Sequence, residues 1–352
     1  MSRIGRCSFA LLAALALTLT AADDPKPRGL EIYFIDVMGG AATLIVTPER
    51  ESLLVDCGWP GFESRDAKRI ETVVKDVAGL DHLDYLLSTH WHVDHYGGAA
   101  QLAERVEIRH FLDRGLPDPA SPDAAAFPDG PKPADPLGVA YRKLTEGKRT
   151  VLRAGDKLPL KGVEGVVLAS GGEVIAAPDS APPNPLAASA PADLPEDRSD
   201  NAKSLAFKLK LGAFDFFDAG DLTWNIEKKL VLPVDRVGPI DLYQVTHHGM
   251  DISNHPTLLA TVAPTVAIMN NGPRKGGSPA VVARLKALPS VEAAYQLHKN
   301  VATKPEENAD PAFIANSDPR GGRFIQVNVA PDGSTYTVRI DRDGAPRVFR
   351  SR

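Results

Sequence analysis

HWHVDH, residues 90–95, places three histidines and one aspartate in six positions. Imidazole nitrogen and carboxylate oxygen are the usual protein ligands of zinc and related divalent ions. The stretch follows an apolar run, 82–89 (HLDYLLST), that reads as a strand, and it precedes Gly97-Gly98. A loop fixed between a strand and a glycine turn can direct His90 and His92 to one ion and Asp94 and His95 to a second. A histidine-rich surface turn is the alternative, and four ligand side chains at this spacing argue against it.

Partners for these ligands lie more than a hundred residues downstream. Asp221 closes a strand pair, 203–211 (KSLAFKLKL) and 213–218 (AFDFFD), joined at Gly212. A carboxylate there suits bridging two ions. Asp218 competes for the role, but Gly220-Asp221 is the sharper turn signal. His247-His248-Gly249 follows another strand candidate, 241–246. One of the two histidines reads as a ligand and the other as a substrate-facing or supporting group; His247 is taken as the ligand. Asp56 ends the strand candidate 52–56 (SLLVD) and suits either a hydrogen bond to a ligand histidine or a turn cap.

The remaining strand candidates are 30–37, 42–47, 149–154, 163–169, 265–269, 324–329 and 335–340, and residues 66–78 show helical spacing. Residues 117–138 and 178–200 are rich in Pro, Ala and Asp and read as mobile surface insertions in one domain spanning 29–345. His110 lies inside a strand (IRHFLD) and reads as structural. His298 in YQLHKN reads as a strand-end surface residue. The Gly/Pro-rich loop 270–279 carries Arg274 and Lys275, either bare solvated charges or a subsite for an anion.

The first 22 residues stand apart. Arg3 and Arg6 precede an apolar run from Ser8 to Leu19, followed by Thr20-Ala21-Ala22. This is the pattern of a signal peptide and predicts export to the periplasm or beyond, with no membrane attachment after cleavage. One cysteine, Cys57, would remain; it follows an apolar strand and reads as a small core residue, and no disulfide framework exists. With a formal net charge of −5 in 352 residues, stable binding to nucleic acid is not expected.

THWHVDHYGG, with DAGDL and QVTHHG, resembles the signature of the metallo-β-lactamase superfamily. With the leading FIDVMGGAATLIV it is similar to one branch, the hydrolase domain of bacterial DNA-uptake channel proteins. That branch also carries Asn-x-x-Ser before its Gly-Asp, here Asn201 and Ser204, which the resemblance places at the substrate. The likeness covers roughly residues 30–300 and implies an α/β fold, a four-layer αββα sandwich with metal at one edge of two sheets. Three departures stand out. No histidine occurs between 111 and 246, Ala41 stands where the branch has an acid, and Met250 stands where it has serine. Redox di-iron members carry Glu where this chain has His92, so zinc is expected, as one or two ions, with manganese also compatible.

The function implied is a zinc hydrolase using a metal-activated water, with Asp94 as the catalytic acid–base group. The substrate is expected to be an anionic phosphoester, with His248, Asn201, Ser204 and Lys275 around it. Hydrolysis of a lactone, amide or thioester is the alternative, and a non-catalytic metal-binding protein on the same scaffold is a third reading. The oligomeric state is left open by the sequence.

Overall fold

The computed structural model describes residues 27–116, 131 and 134–352. Residues 1–22, expected to be a signal peptide, and most of the expected insertion 117–138 therefore lie outside the described residues. Strands β1 (Leu30–Phe34), β2 (Thr43–Val46), β3 (Ser52–Val55), β4 (His82–Ser88), β5 (Glu107–Asp113) and β6 (Arg149–Val151) build one sheet. The chain then builds a second from β7 (Glu164–Ser170), β8 (Glu173–Val174), β9 (Ala206–Leu211), β10 (Phe214–Asp218), β11 (Leu242–Gln244), β12 (Val266–Met269), β13 (Ala293–His298) and β14 (Ile314–Asn316). It returns to the first sheet with β15 (Ile325–Val329), β16 (Thr335–Ile340) and β17 (Arg347–Arg350), β15 pairing with β1.

The central strands, β1 to β3 and β10 to β12, are largely buried on both faces because both faces are covered. Leu30, Ile32, Phe34 and Ile45 from one sheet meet Phe207, Phe214, Phe216 and Leu242 from the other in the central core. Phe34 and Phe216 pack edge to face, their centroids 6.2 Å apart, the arrangement that aligns ring edge with ring face. Tyr33, Leu44, Leu54 and Leu86 point outward instead, under helices α1 (Arg65–Thr72), α3 (Ala99–Ala103) and α4 (Pro136–Leu144). Phe217, Tyr243 and Ala267 likewise pack under α5 (Trp224–Val231), α6 (Pro256–Val262) and α7 (Pro279–Ala287). The result is the four-layer αββα sandwich, helix–sheet–sheet–helix.

Several boundaries move. The expected strand 30–37 stops at Phe34, because Asp36 accepts a hydrogen bond from the Met38 backbone and turns the chain away. The helix read over 66–78 is α1 followed by one wider turn, Val73–Val77. Helix α4 begins inside the expected insertion 117–138. Its Asp135 accepts from the Leu137 and Gly138 backbones, and Pro136 sits at the first helical position, a capping signal visible in the sequence. Residues 178–200, read as mobile, are pinned instead. The Asn184 amide donates to Val231 O, the Trp224 indole donates to Ala192 O, and Lys228 pairs with Asp193. Among the described residues no helix is long and apolar enough to cross a membrane.

Strands β3, β4 and β5 run parallel in one sheet, and β10 to β14 run parallel in the other. Loops leaving the carboxyl ends of parallel strands gather along one edge, and that edge carries the ligand candidates.

Candidate metal centre

HWHVDH leaves β4 and enters the single turn α2 (Val93–Tyr96), with His92 at its N-cap. Asp221 follows β10, and its backbone N–H donates to Ser204 Oγ at 3.2 Å. Between them Gly220 has φ +52°, and a side chain there would meet the Thr89 side chain at 2.9 Å, so the Gly-Asp turn lies directly on the strand end that starts HWHVDH. His247 and His248 follow β11 with φ 56° and 53°, both left-handed.

One oxygen, Asp221 Oδ2, is the hub. It lies 3.1 Å from His95 Nε2, 3.2 Å from His248 Nε2, 3.6 Å from His247 Nε2 and 3.9 Å from His90 Nε2. Asp94 Oδ2 lies 3.4 Å from His95 Nε2 and 3.2 Å from His248 Nε2. Asp94, His95, Asp221 and His248 each offer one ligand atom, all within 4.8 Å of one another and all buried. The His92 ring stands edge-on to His90, their centroids 4.7 Å apart.

The other ring nitrogens explain this orientation. Asp56 Oδ2 accepts from His95 Nδ1 at 2.7 Å and from Thr89 Oγ1 at 2.8 Å. With its proton committed to Asp56, Thr89 Oγ1 accepts from His90 Nδ1 at 3.1 Å. Ser253 Oγ donates to Leu222 O and so accepts from His247 Nδ1 at 3.0 Å. His248 Nδ1 donates to Asn270 O at 3.0 Å. In all four histidines Nδ1–H is thus tied outward and Nε2 faces the carboxylates, the arrangement that prepares imidazoles for a metal.

Charge follows the same pattern. Burial opposes ionisation of Asp221, but the His248, His95 and His247 charges outweigh it and hold the carboxyl well below its ordinary range. Burial likewise disfavours charge on His95, yet Asp221, Asp94 and Asp56 raise it. Burial and the neighbouring His95 push His90 well down, so its imidazole is neutral. His90 Nε2 is buried with no hydrogen-bond partner among the described residues. A neutral, buried, unpaired nitrogen aimed at a shared carboxylate fits a borderline cation such as Zn²⁺.

Some placements differ from the sequence reading, and others, Asp218 and Cys57 among them, follow it. His248, rather than His247, joins the four-donor group, because successive left-handed residues swing the second ring toward Asp94. His247 stands beside it, with Asn201 Nδ2 donating to its Nε2 at 3.3 Å and burial pushing it down to about 4. Ser204 is fully buried and faces the Asp221 backbone, so it positions that turn rather than meeting substrate. Asp218 is buried behind Gly220, accepting from its backbone N–H. His298 is not on the surface at all: it is fully buried, with Nε2 2.8 Å from Asp36 Oδ1. Lys275 Nζ pairs with Asp94 Oδ2 and lies 5.2 Å from the centre of the Trp59 ring. Cys57 is a buried free thiol, pushed up by burial and the nearby Asp56 charge.

Glu227 on α5 gives no signal in an amphipathic helix pattern, yet it braces the histidine loop. It is fully buried, and its Oε2 accepts from the His255 backbone at 2.8 Å. Burial pushes it from 4.5 to about 7. Between pH 4.5 and 7 the folded chain therefore keeps a proton that the unfolded chain releases. The stability this proton supports is complete below pH 4.5, falls as pH rises to 7, and is about 3 kcal/mol in all at 1.36 kcal/mol per pH unit. Glu227→Gln keeps the acceptor without the charge. In urea unfolding it should match the parent near pH 4.5 and exceed it at pH 8; equal losses between those pH values in both proteins would refute this account.

Residues 35–184 match the family model described as the metallo-beta-lactamase superfamily, which supports superfamily membership over that part of the chain. No curated protein sequence matches. Among solved structures, a CmlA β-hydroxylase variant is 17% identical with a TM-score of 0.45, covering 78% of this chain and 53% of that one. A second CmlA structure is described as a diiron β-hydroxylase from Streptomyces venezuelae. MEM-A1, a subclass B3 metallo-β-lactamase from a soil metagenome library, is 13% identical, with a TM-score of 0.36 and 77% of each chain covered. Igni18, a metallo hydrolase from the archaeon Ignicoccus hospitalis, is 10% identical with a TM-score of 0.42, covering 76% and 94%. The chain spans about half the length of the β-hydroxylase structures.

Proposed function

We propose that the chain, a metallo-β-lactamase-like sandwich with a buried donor cluster, is a zinc-dependent hydrolase of an anionic ester of the phosphoester class. The observation that carries this reading is the convergence of four outward-tied histidines on Asp221 Oδ2, with Asp94 completing the group. Asp94, His95, Asp221 and His248 would hold one cation. His90, His92 and the same Asp221 oxygen, with His247 adjacent, would hold a second.

A bound divalent ion would supply Lewis acidity and lower the pKa of water from 15.7 to about 7. The protein's own groups do the rest. Asp94 would orient that water and accept its proton. Lys275 places a positive charge beside Asp94, where an anionic substrate group would lie. Asn201 holds the His247 ring through its Nε2.

An imidazole at position 92, where a redox di-iron site would carry a carboxylate, supports zinc. The likeness of the sequence to the DNA-uptake branch and export by the leader belong to the same proposal. Amino-terminal sequencing of the native protein decides the export: cleavage near Ala22 is expected, and an intact Met1 refutes it. Metal analysis of the purified chain, with a screen of bis-p-nitrophenyl phosphate, p-nitrophenyl phosphate, a lactone and a cephalosporin, tests the rest. Zinc with phosphoester turnover is the expected outcome. Turnover of the lactone alone moves the activity to carboxylic bonds, and iron with oxygen-dependent chemistry overturns the hydrolase.

A further inference from the structure

Away from the histidine cluster, a second set of hydrogen-bonded polar side chains spans the two sheets. Asp36, just past β1, is fully buried. Its Oδ1 accepts from His298 Nε2 at 2.8 Å and from the Met38 backbone at 2.8 Å. Its Oδ2 accepts from Arg69 Nη1 on α1 at 2.7 Å, and Arg69 also donates to Gly321 O. His298 ends β13 in the opposite sheet, and its Nδ1 is buried with no partner among the described residues. Buried ion pairs carry a heavy desolvation cost and contribute little net stability over apolar packing, so their position is the informative feature.

That position is the root of two loops that meet at the candidate site. From Asp36 the chain runs through Met38, Gly39 and Gly40. A side chain at Gly39 would stand 3.0 Å from Gly272 N and 3.2 Å from Lys275 Cβ; one at Gly40 would stand 2.4 Å from Asp94 O. The 36–41 loop is therefore wedged between the backbone of Asp94 and the loop that carries Lys275. The second loop is fastened at the same root. Asn271 Nδ2 donates to His298 O at 2.7 Å, the His298 backbone N–H donates to Asn271 Oδ1 at 3.3 Å, and Gly272 N donates to Lys275 O at 2.9 Å.

We propose that Asp36 and His298, steadied by Arg69, are positioning residues that clamp the two sheets at the root of these loops and thereby set Lys275 against Asp94. This deepens the hydrolase reading, because Lys275 is there the group that receives the anionic part of the substrate. The clamp acts through Lys275 and touches neither substrate nor metal.

Two measurements test it. The first needs no substrate: the rate at which an amine-reactive acetylating reagent modifies Lys275 in the purified protein, followed by peptide mass spectrometry. Asp36→Asn and His298→Ala should each raise that rate several-fold, with Lys161 as the internal reference. His298→Gln, whose amide nitrogen reaches the position of Nε2, should restore the parent rate. The second is kinetic. Asp36→Asn should raise KM by ~10-fold with little change in kcat, the effect of losing one charge-assisted contact. Combined with Lys275→Ala it should add nothing further, since both act on one contact. Unchanged Lys275 labelling in folded Asp36→Asn and His298→Ala proteins overturns the clamp. So do KM effects that multiply in the double variant, as a merely structural role would give. If the parent turns over no ester, the hydrolase reading falls, and the labelling still decides whether the clamp exists.

Discussion

Asp221→Ala is expected to lose its metal and at least ~10²–10⁴-fold in turnover, the range for removal of one positioned catalytic group. The size follows from what one oxygen does. Asp221 Oδ2 faces the Nε2 atoms of His95, His248, His247 and His90 at 3.1, 3.2, 3.6 and 3.9 Å. A cation shared by these imidazoles would meet that oxygen, and among the described residues no second carboxylate pairs with all four. Asp94 Oδ2 pairs with His95 and His248 among these rings, so it would be a poor substitute for Asp221. Alanine would also remove the anionic donor that offsets the cation's charge, leaving neutral imidazoles as the remaining ligands at that point. Asp221→Asn separates charge from shape: it keeps the side-chain volume and the backbone contact to Ser204, and should bind metal nearly as poorly. Metal per chain by mass spectrometry, alongside kcat, is the measurement. A metal-replete Asp221→Ala protein with ordinary turnover would remove Asp221 from the centre of the site.

The contrast between local and long-range signals decides what the sequence discloses. HWHVDH is legible because its ligand types crowd into six positions beside a strand, and the Gly-Asp turn is legible because only glycine tolerates the approach to Thr89. The layers are legible through the resemblance that THWHVDHYGG, DAGDL and QVTHHG carry, which implies a four-layer sandwich. What the sequence hides depends on backbone angles or on distant partners. The choice between His247 and His248 turns on two successive left-handed residues, a conformation that no side-chain pattern announces. His298 reads as surface until Asp36, 262 residues away, is found against it. Residues 178–200 have the composition of a free loop, but Asn184 and Trp224 give it anchors on α5 and α6 that composition cannot show. Glu227 occupies a helix position that burial, rather than hydropathy, makes unusual.

Asp94→Ala and Lys275→Ala should separate chemistry from binding. The two side chains touch, yet they differ in what they face. Asp94 is buried, and its Oδ2 also meets the Nε2 atoms of His95 and His248. Its loss removes both a metal donor and the acceptor for the proton of the attacking water, so kcat should fall by ~10²–10⁴-fold. Burial raises the Asp94 carboxyl and the His95 and His248 charges more than reverse this, so the group is ionised at neutral pH. Lys275 is 37% exposed, rests over Trp59 and carries a positive charge, so it is no metal donor itself. It offers an anion one charge-assisted hydrogen bond, whose loss commonly costs 1.5–3 kcal/mol, or ~10–100-fold in KM with kcat nearly unchanged. Both variants need their metal content matched before the comparison is read. If metal-replete Asp94→Ala turns over normally, the proton acceptor lies elsewhere in the site. If KM is unmoved in Lys275→Ala, the charge beside Asp94 does not meet the substrate, and a neutral lactone, amide or thioester becomes the better fit to the site.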